Sequence, residues 1–139
     1  MGVEITGRYD GNLRVTLRHG PSGAEMVTAA PVDNHGDGSS FSPTDLAAAS
    51  LGACMVTVMA IAAEREGIPF AGVSFSLEKT MRADPRRIDA LPVTLRMPAG
   101  LTPEQRTRLE RIALACPVHH SLHPEIVKDV QFVYPDGGA

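Results

Sequence analysis

From Leu46 to Ala63 the chain runs for 18 residues without a charge, and a stretch of that kind must be shielded from water over most of its surface. Its flanks define it as a helix. Ser42 is placed to cap the start, Pro43 suits the first helical position and Asp45 can close a capping box, while Gly67, Ile68 and Pro69 stop the helix after about Glu66. Length alone would let such a run cross a membrane. Ala, Gly, Ser and Thr dilute it, however, no second run like it exists, and amphipathic strand patterns follow. The expectation is a helix buried on all sides of a soluble protein, with no membrane partner.

The rest of the pattern is mostly sheet. In the first thirty residues Leu13, Val15 and Leu17 alternate with Arg14, Thr16 and Arg18, with turn residues at Asp10-Gly11 and Gly20-Pro21, which predicts an antiparallel meander. Residues 31–42 are polar and rich in Gly, Asp, Asn and Ser, as in an exposed, mobile loop. Beyond the long helix, residues 73–81 alternate again and residues 93–97 read as their antiparallel neighbour. The charged segment between them, Arg82 to Leu91, carries Pro85 and reads as loop. Thr102, Pro103 and Gln105 open a second helix whose Leu109, Ile112, Ala113 and Cys116 share one face. Pro117 breaks that helix ahead of a turn through His119, His120 and His123, and residues 127–134 form a closing strand. With 139 residues, 43% of them hydrophobic, and no repeat or linker, the chain predicts a single α+β domain over residues 1–139.

Charge and motif content exclude several functions. Thirteen basic against sixteen acidic residues, with no Trp and 4% aromatics, offer neither a phosphate-binding surface nor a base-stacking one, so no nucleic-acid partner is expected. The N-terminus lacks the succession of a secretory signal, and two cysteines are too few for an extracellular scaffold, which predicts a cytoplasmic location. Met1, Gly2 and Thr6 fit a loose myristoylation pattern, but no polybasic stretch supplies a second anchor. No nucleophile elbow, dinucleotide fingerprint or phosphate loop occurs, so no nucleotide cofactor is expected. Cys116, His119, His120 and His123 have ligand-like spacing without a second Cys or His pair to complete a zinc site, and no metal is expected.

The chemistry then rests on Cys54, inside the long helix, and Cys116, at a helix break where the amides of the next turn favour a thiolate. An isolated buried cysteine is ordinarily a small core hydrophobe. Two in one chain, on inward faces 62 positions apart, point instead to a redox couple. A thiolate that attacks a peroxide oxygen becomes a sulfenic acid, and a second thiol converts that acid to a disulfide. A thiolate in an apolar setting also needs a neighbouring cation, for which arginine is suited because it keeps its charge.

The stretch Phe41 to Cys54 (FSPTDLAAASLGAC) resembles the Pro-x-x-Leu, alanine-rich, small-small-Cys helix of the OsmC/Ohr family of thiol peroxidases. The segment Ala115 to His119 (ACPVH) resembles that family's second-cysteine motif, and the similarity extends over nearly the whole chain. The resemblance implies an OsmC-like fold in which antiparallel sheets wrap long central helices in an intertwined homodimer, with both subunits lining each site. It makes Cys54 the peroxidatic and Cys116 the resolving cysteine of a cofactor-free enzyme. The implied substrate is an organic hydroperoxide, and the implied reductant is a dithiol such as a dihydrolipoyl protein.

The sequence also departs from the family pattern. Where well-characterised members carry a glutamate directly after the helix-start proline, to orient an arginine over the reactive sulfur, this chain has Thr44; Asp45, one residue later, matches the acidic position of the family's OsmC-like branch and is the candidate for that catalytic role, and it is also a natural cap. Arg14, 40 residues before Cys54, is close to the family's spacing and is the candidate arginine, with Arg8 and Arg18 as competitors. The alternative expectation is a redox-inactive or sensing OsmC-like dimer that binds a small apolar ligand without turnover.

Overall fold

The protein is described by a computed structural model over residues 2–137. Chain contacts divide after Ala47 into two compact units. In the first, β1 (Ile5–Gly11), β2 (Arg14–His19) and β3 (Glu25–Ala29) form the antiparallel meander that the alternation predicts. A bulge between Tyr9 and Gly11 carries the chain into a turn in which Asn12 and Leu13 both take left-handed backbone angles, φ 57° and 59°. A bulky apolar residue rarely adopts that conformation. Here Leu13 is fastened on both sides: its N–H donates to the Tyr9 hydroxyl at 3.3 Å, and its carbonyl accepts from Ala30 N at 3.1 Å.

The polar segment after β3 is more ordered than its composition predicts. A single 3-10 turn spans Val32–Asn34, and Gly36 N and Gly38 N donate back to the carbonyls of Pro31 and Ala30 at 2.9 and 3.2 Å. At Gly36 a Cβ would stand 1.8 Å from the Ala30 carbonyl oxygen, so the loop closes only because glycine is there. Backbone groups that composition leaves to solvent are thus paired within the loop itself.

The long helix α1 spans Pro43–Glu66, as its flanks predict. The capping box is formed: Asp45 N donates to Ser42 Oγ at 3.1 Å, and Ser42 N to the Asp45 carboxylate at 2.9 Å. Burial departs from the expectation. Within one chain only the stripe Ala48, Leu51, Gly52, Met55, Met59 and Ala63 is buried, while Ile61 stays 47% exposed. That spacing of three and four is a single helix face. By length and composition α1 would also span a membrane, a test that the core helix of a soluble protein passes equally.

In the second unit, β4 (Ser74–Leu77) pairs antiparallel with β7 (Val93–Arg96), with Phe75 opposite Leu95 and Leu77 opposite Val93, so the apolar residues share one face. Two expectations are corrected here. The segment read as loop holds a hairpin, β5 (Thr80–Arg82) with β6 (Arg87–Ala90), turning through a cis Asp84–Pro85 peptide. Its strands are three and four residues long, with Ile88 alone buried, too short for alternation to show. The last strand, β8 (Val130–Val133), is shorter than predicted and runs parallel to β7, so this sheet is mixed rather than antiparallel. A parallel neighbour requires a long crossover, and α2 (Pro103–Leu114) with α3 (Pro117–Ser121) supplies it.

Helix α2 starts on the predicted capping box, Thr102 with Gln105. It buries Leu109 and Ala113. Its outer edge is tied to the chain end: Tyr134 donates its hydroxyl hydrogen bond to Glu110, and Arg106 lies 4.0 Å over the Tyr134 ring while pairing with Asp136 at 3.2 Å.

Candidate active site

Cys54 occupies the middle of α1, half-buried and beside the fully buried stripe. Two residues earlier, a Cβ at Gly52 would stand 2.2 Å from the Phe75 ring. Only glycine lets β4 lie this close against the helix next to the cysteine, so the small residue before Cys54 has a packing cause. Further along, Arg108 of α2 grips the Glu66 carboxylate at the end of α1 with hydrogen bonds of 2.6 and 2.8 Å. Glu66 stands twelve positions beyond Cys54 on α1, about 18 Å along the helix.

The break at Pro117 fixes Cys116. Helix α2 ends at Leu114, and Cys116, in extended conformation (φ −66°, ψ 148°), becomes the N-cap of α3. Its Sγ accepts the His119 backbone N–H at 3.3 Å and the residue is 1% exposed. Burial raises the Cys116 pKa above the ordinary thiol value; the His119 amide opposes that shift, and hydrogen bonding and charge from the Cys54 side chain add to it. Those last two effects come from a residue 62 positions away and require the two side chains to be close.

The histidines around this turn are accounted for separately. Burial, then the positive charges of Lys128 and His120, hold the His119 pKa below its usual value. His123 Nδ1 accepts the Glu125 N–H at 3.0 Å. Among the described residues no group of three or more His, Cys, Asp or Glu side chains is arranged to hold a metal ion.

Arg14 and Asp45 lie in the first unit. The Arg14 guanidinium donates to the Asp37 carboxylate at 2.6 Å and to Ser39 Oγ at 3.0 Å. Asp37 is anchored in turn by the Ser39 N–H at 3.0 Å. Hydrogen bonds from Ser39, and then the Arg14 charge, lower the Asp37 pKa below the usual carboxylate value. Sequence reasoning missed Asp37 and Ser39 as partners of Arg14, because they sit 23 and 25 positions away in a loop that reads as solvated; the Gly-Asp-Gly-Ser-Ser run at 36–40 is the only trace. Arg8 and Arg18 pair elsewhere, with Asp10 at 2.9 Å and Glu25 at 3.6 Å.

Comparison with known proteins agrees with this architecture. The OsmC-like protein family matches residues 36–131, a span that contains both cysteines. A Psychrobacter arcticus protein, provisionally described as an osmotic stress induced and detoxification response protein, has a similar structure at a TM-score of 0.89 and 38% identity, over 95% of this chain and 97% of its own. The organic hydroperoxide resistance protein OsmC of Legionella pneumophila is similar at a TM-score of 0.71 and 20% identity, over 96% and 97% of the two chains. An OsmC like protein of Mycoplasma pneumoniae reaches a TM-score of 0.80 at 13% identity, over 96% and 97%. Among curated proteins none matches the chain. Cys54 and Cys116 thus sit in a fold shared over nearly its full length with these proteins, and the chain belongs to the OsmC-like family.

Proposed function

We propose that this protein is a cytoplasmic thiol peroxidase that reduces organic hydroperoxides, with Cys54 as the attacking and Cys116 as the resolving cysteine. The observation that carries this reading is the closeness of two free cysteines of unequal character: Cys54 half-exposed, Cys116 sealed and inclined to stay protonated. The Cys54 thiolate takes the distal peroxide oxygen and becomes a sulfenic acid; Cys116 attacks that sulfur, releases water and leaves a disulfide. A dithiol such as a dihydrolipoyl protein then restores both thiols. Relatives named for organic hydroperoxide resistance support the substrate class. Arg14 is the proposed cation that favours the Cys54 thiolate.

The test is turnover. With dihydrolipoamide as donor, cumene hydroperoxide should be consumed in many equivalents per chain. One equivalent consumed and no more would instead identify a sensing or ligand-binding member that oxidises once.

We also propose that the working form is a homodimer. The single buried stripe of α1, the exposed Ile61, and the exposed Ile5, Tyr9, Met26 and Val27 of the first sheet leave apolar surface that a second copy would cover. Light scattering should return twice the 14.8 kDa of one chain, and the mass of one chain would overturn the proposal.

A further inference from the structure

Peroxide cleavage has a second requirement besides a nucleophile. When the O–O bond breaks, the departing alkoxide is about as basic as hydroxide, and it leaves readily only if a proton reaches it. A thiol, at about 8.5 in water, is a far stronger acid than any solvent molecule. The site holds such an acid beside the sulfur where the bond breaks. Cys116 is 1% exposed, so its proton is not exchanged for a solvent contact, and the His119 N–H at 3.3 Å from its Sγ is aimed to stabilise the anion left behind.

From this geometry we infer that Cys116 acts twice, first as the acid that protonates the departing alkoxide and then, as the thiolate so formed, as the nucleophile that closes the disulfide. This rests on the peroxidase reading above and assigns Cys116 a role before resolution. The steps balance. Cys54 thiolate and ROOH give Cys54 sulfenic acid and an alkoxide, the sulfur losing two electrons to the O–O bond. The alkoxide takes the Cys116 proton and departs as ROH. Cys116 thiolate displaces hydroxide from the Cys54 sulfenic acid, forming the S–S bond. The sum is one thiolate, one thiol and ROOH converted to a disulfide, ROH and hydroxide. Burial and the Cys54 charge, which raise the Cys116 pKa, keep that proton in place at neutral pH until the alkoxide forms.

A resolving cysteine with no earlier role cannot affect how fast Cys54 is first oxidised, and that separates the two cases. The measurement is the first-oxidation rate of Cys54, read by quenched mass spectrometry, in wild type, Cys116→Ala and Cys116→Ser. Two oxidants are used: tert-butyl hydroperoxide, whose alkoxide needs a proton, and perbenzoic acid, whose carboxylate does not. Both variants should lose about a hundredfold with tert-butyl hydroperoxide, the scale of general-acid catalysis. With perbenzoic acid they should lose far less. Serine keeps an acceptor for the His119 N–H, so it preserves the cap if the alanine variant fails to fold. Equal rates in all three proteins with both oxidants would overturn the acid role while leaving the peroxidase reading intact. A wild-type Cys54 no faster than a free thiol toward either oxidant would overturn both.

Discussion

Cys54→Ser is expected to reduce hydroperoxide turnover to the uncatalysed background, a loss of about a thousandfold or more, as when a covalent nucleophile is removed from other enzymes. Serine fills nearly the same space in the half-buried position on α1, so the helix should remain folded. What disappears is the thiolate, and with it any route to a sulfenic acid. Consumption of cumene hydroperoxide with dihydrolipoamide checks it, alongside circular dichroism to confirm the fold. A variant that retains a tenth of the wild-type rate would mean that the reaction does not pass through this sulfur.

Arg14→Ala carries the second large effect. Removing a cation that favours the nucleophile and its charged transition state costs on the order of a hundredfold to a thousandfold in rate, and kcat/KM at neutral pH should fall by that much. Arg14→Lys should recover only part of the loss, because a compact, strongly hydrated ammonium lacks the planar, weakly hydrated guanidinium that meets Asp37 and Ser39. The pH dependence of Cys54 alkylation distinguishes activation from mere packing: without the guanidinium, the profile should move to higher pH. The Arg8→Ala and Arg18→Ala variants are the controls, since they remove the other two arginines of the same sheet. If either of them produces the loss and Arg14→Ala does not, the activating charge has been assigned to the wrong strand residue.

The sequence was most legible where a local rule acts alone. Helix α1 begins and ends where its cap and its Gly-Ile-Pro stop place it, and the meander and the Thr102 capping box follow from alternation and cap chemistry over a few residues. The break that turns Cys116 into a cap follows from Pro117, whose ring disfavours helical geometry in the residue before it. Reading failed where distant pairing decides the outcome. Thr80–Arg82 and Arg87–Ala90 are too short and too charged to show as strands until they pair with one another. The direction of β8 depends on which strand it joins, although the α2 crossover could have been taken as a cue to parallel pairing. The motif resemblance named both cysteines, yet no spacing rule states that residues 62 apart will meet. Asp37 was missed because loop composition does not reveal which carboxylate an arginine will find.

The proposed peroxidase activity requires Cys54 and Cys116 to form one redox unit. The most direct test is intact mass after one equivalent of cumene hydroperoxide. Wild type should lose two hydrogens, with the linkage mapped to Cys54 and Cys116, and Cys116→Ser should gain one oxygen on Cys54 instead. A wild-type protein that keeps both thiols, or that gains oxygen without forming the bond, would contradict it.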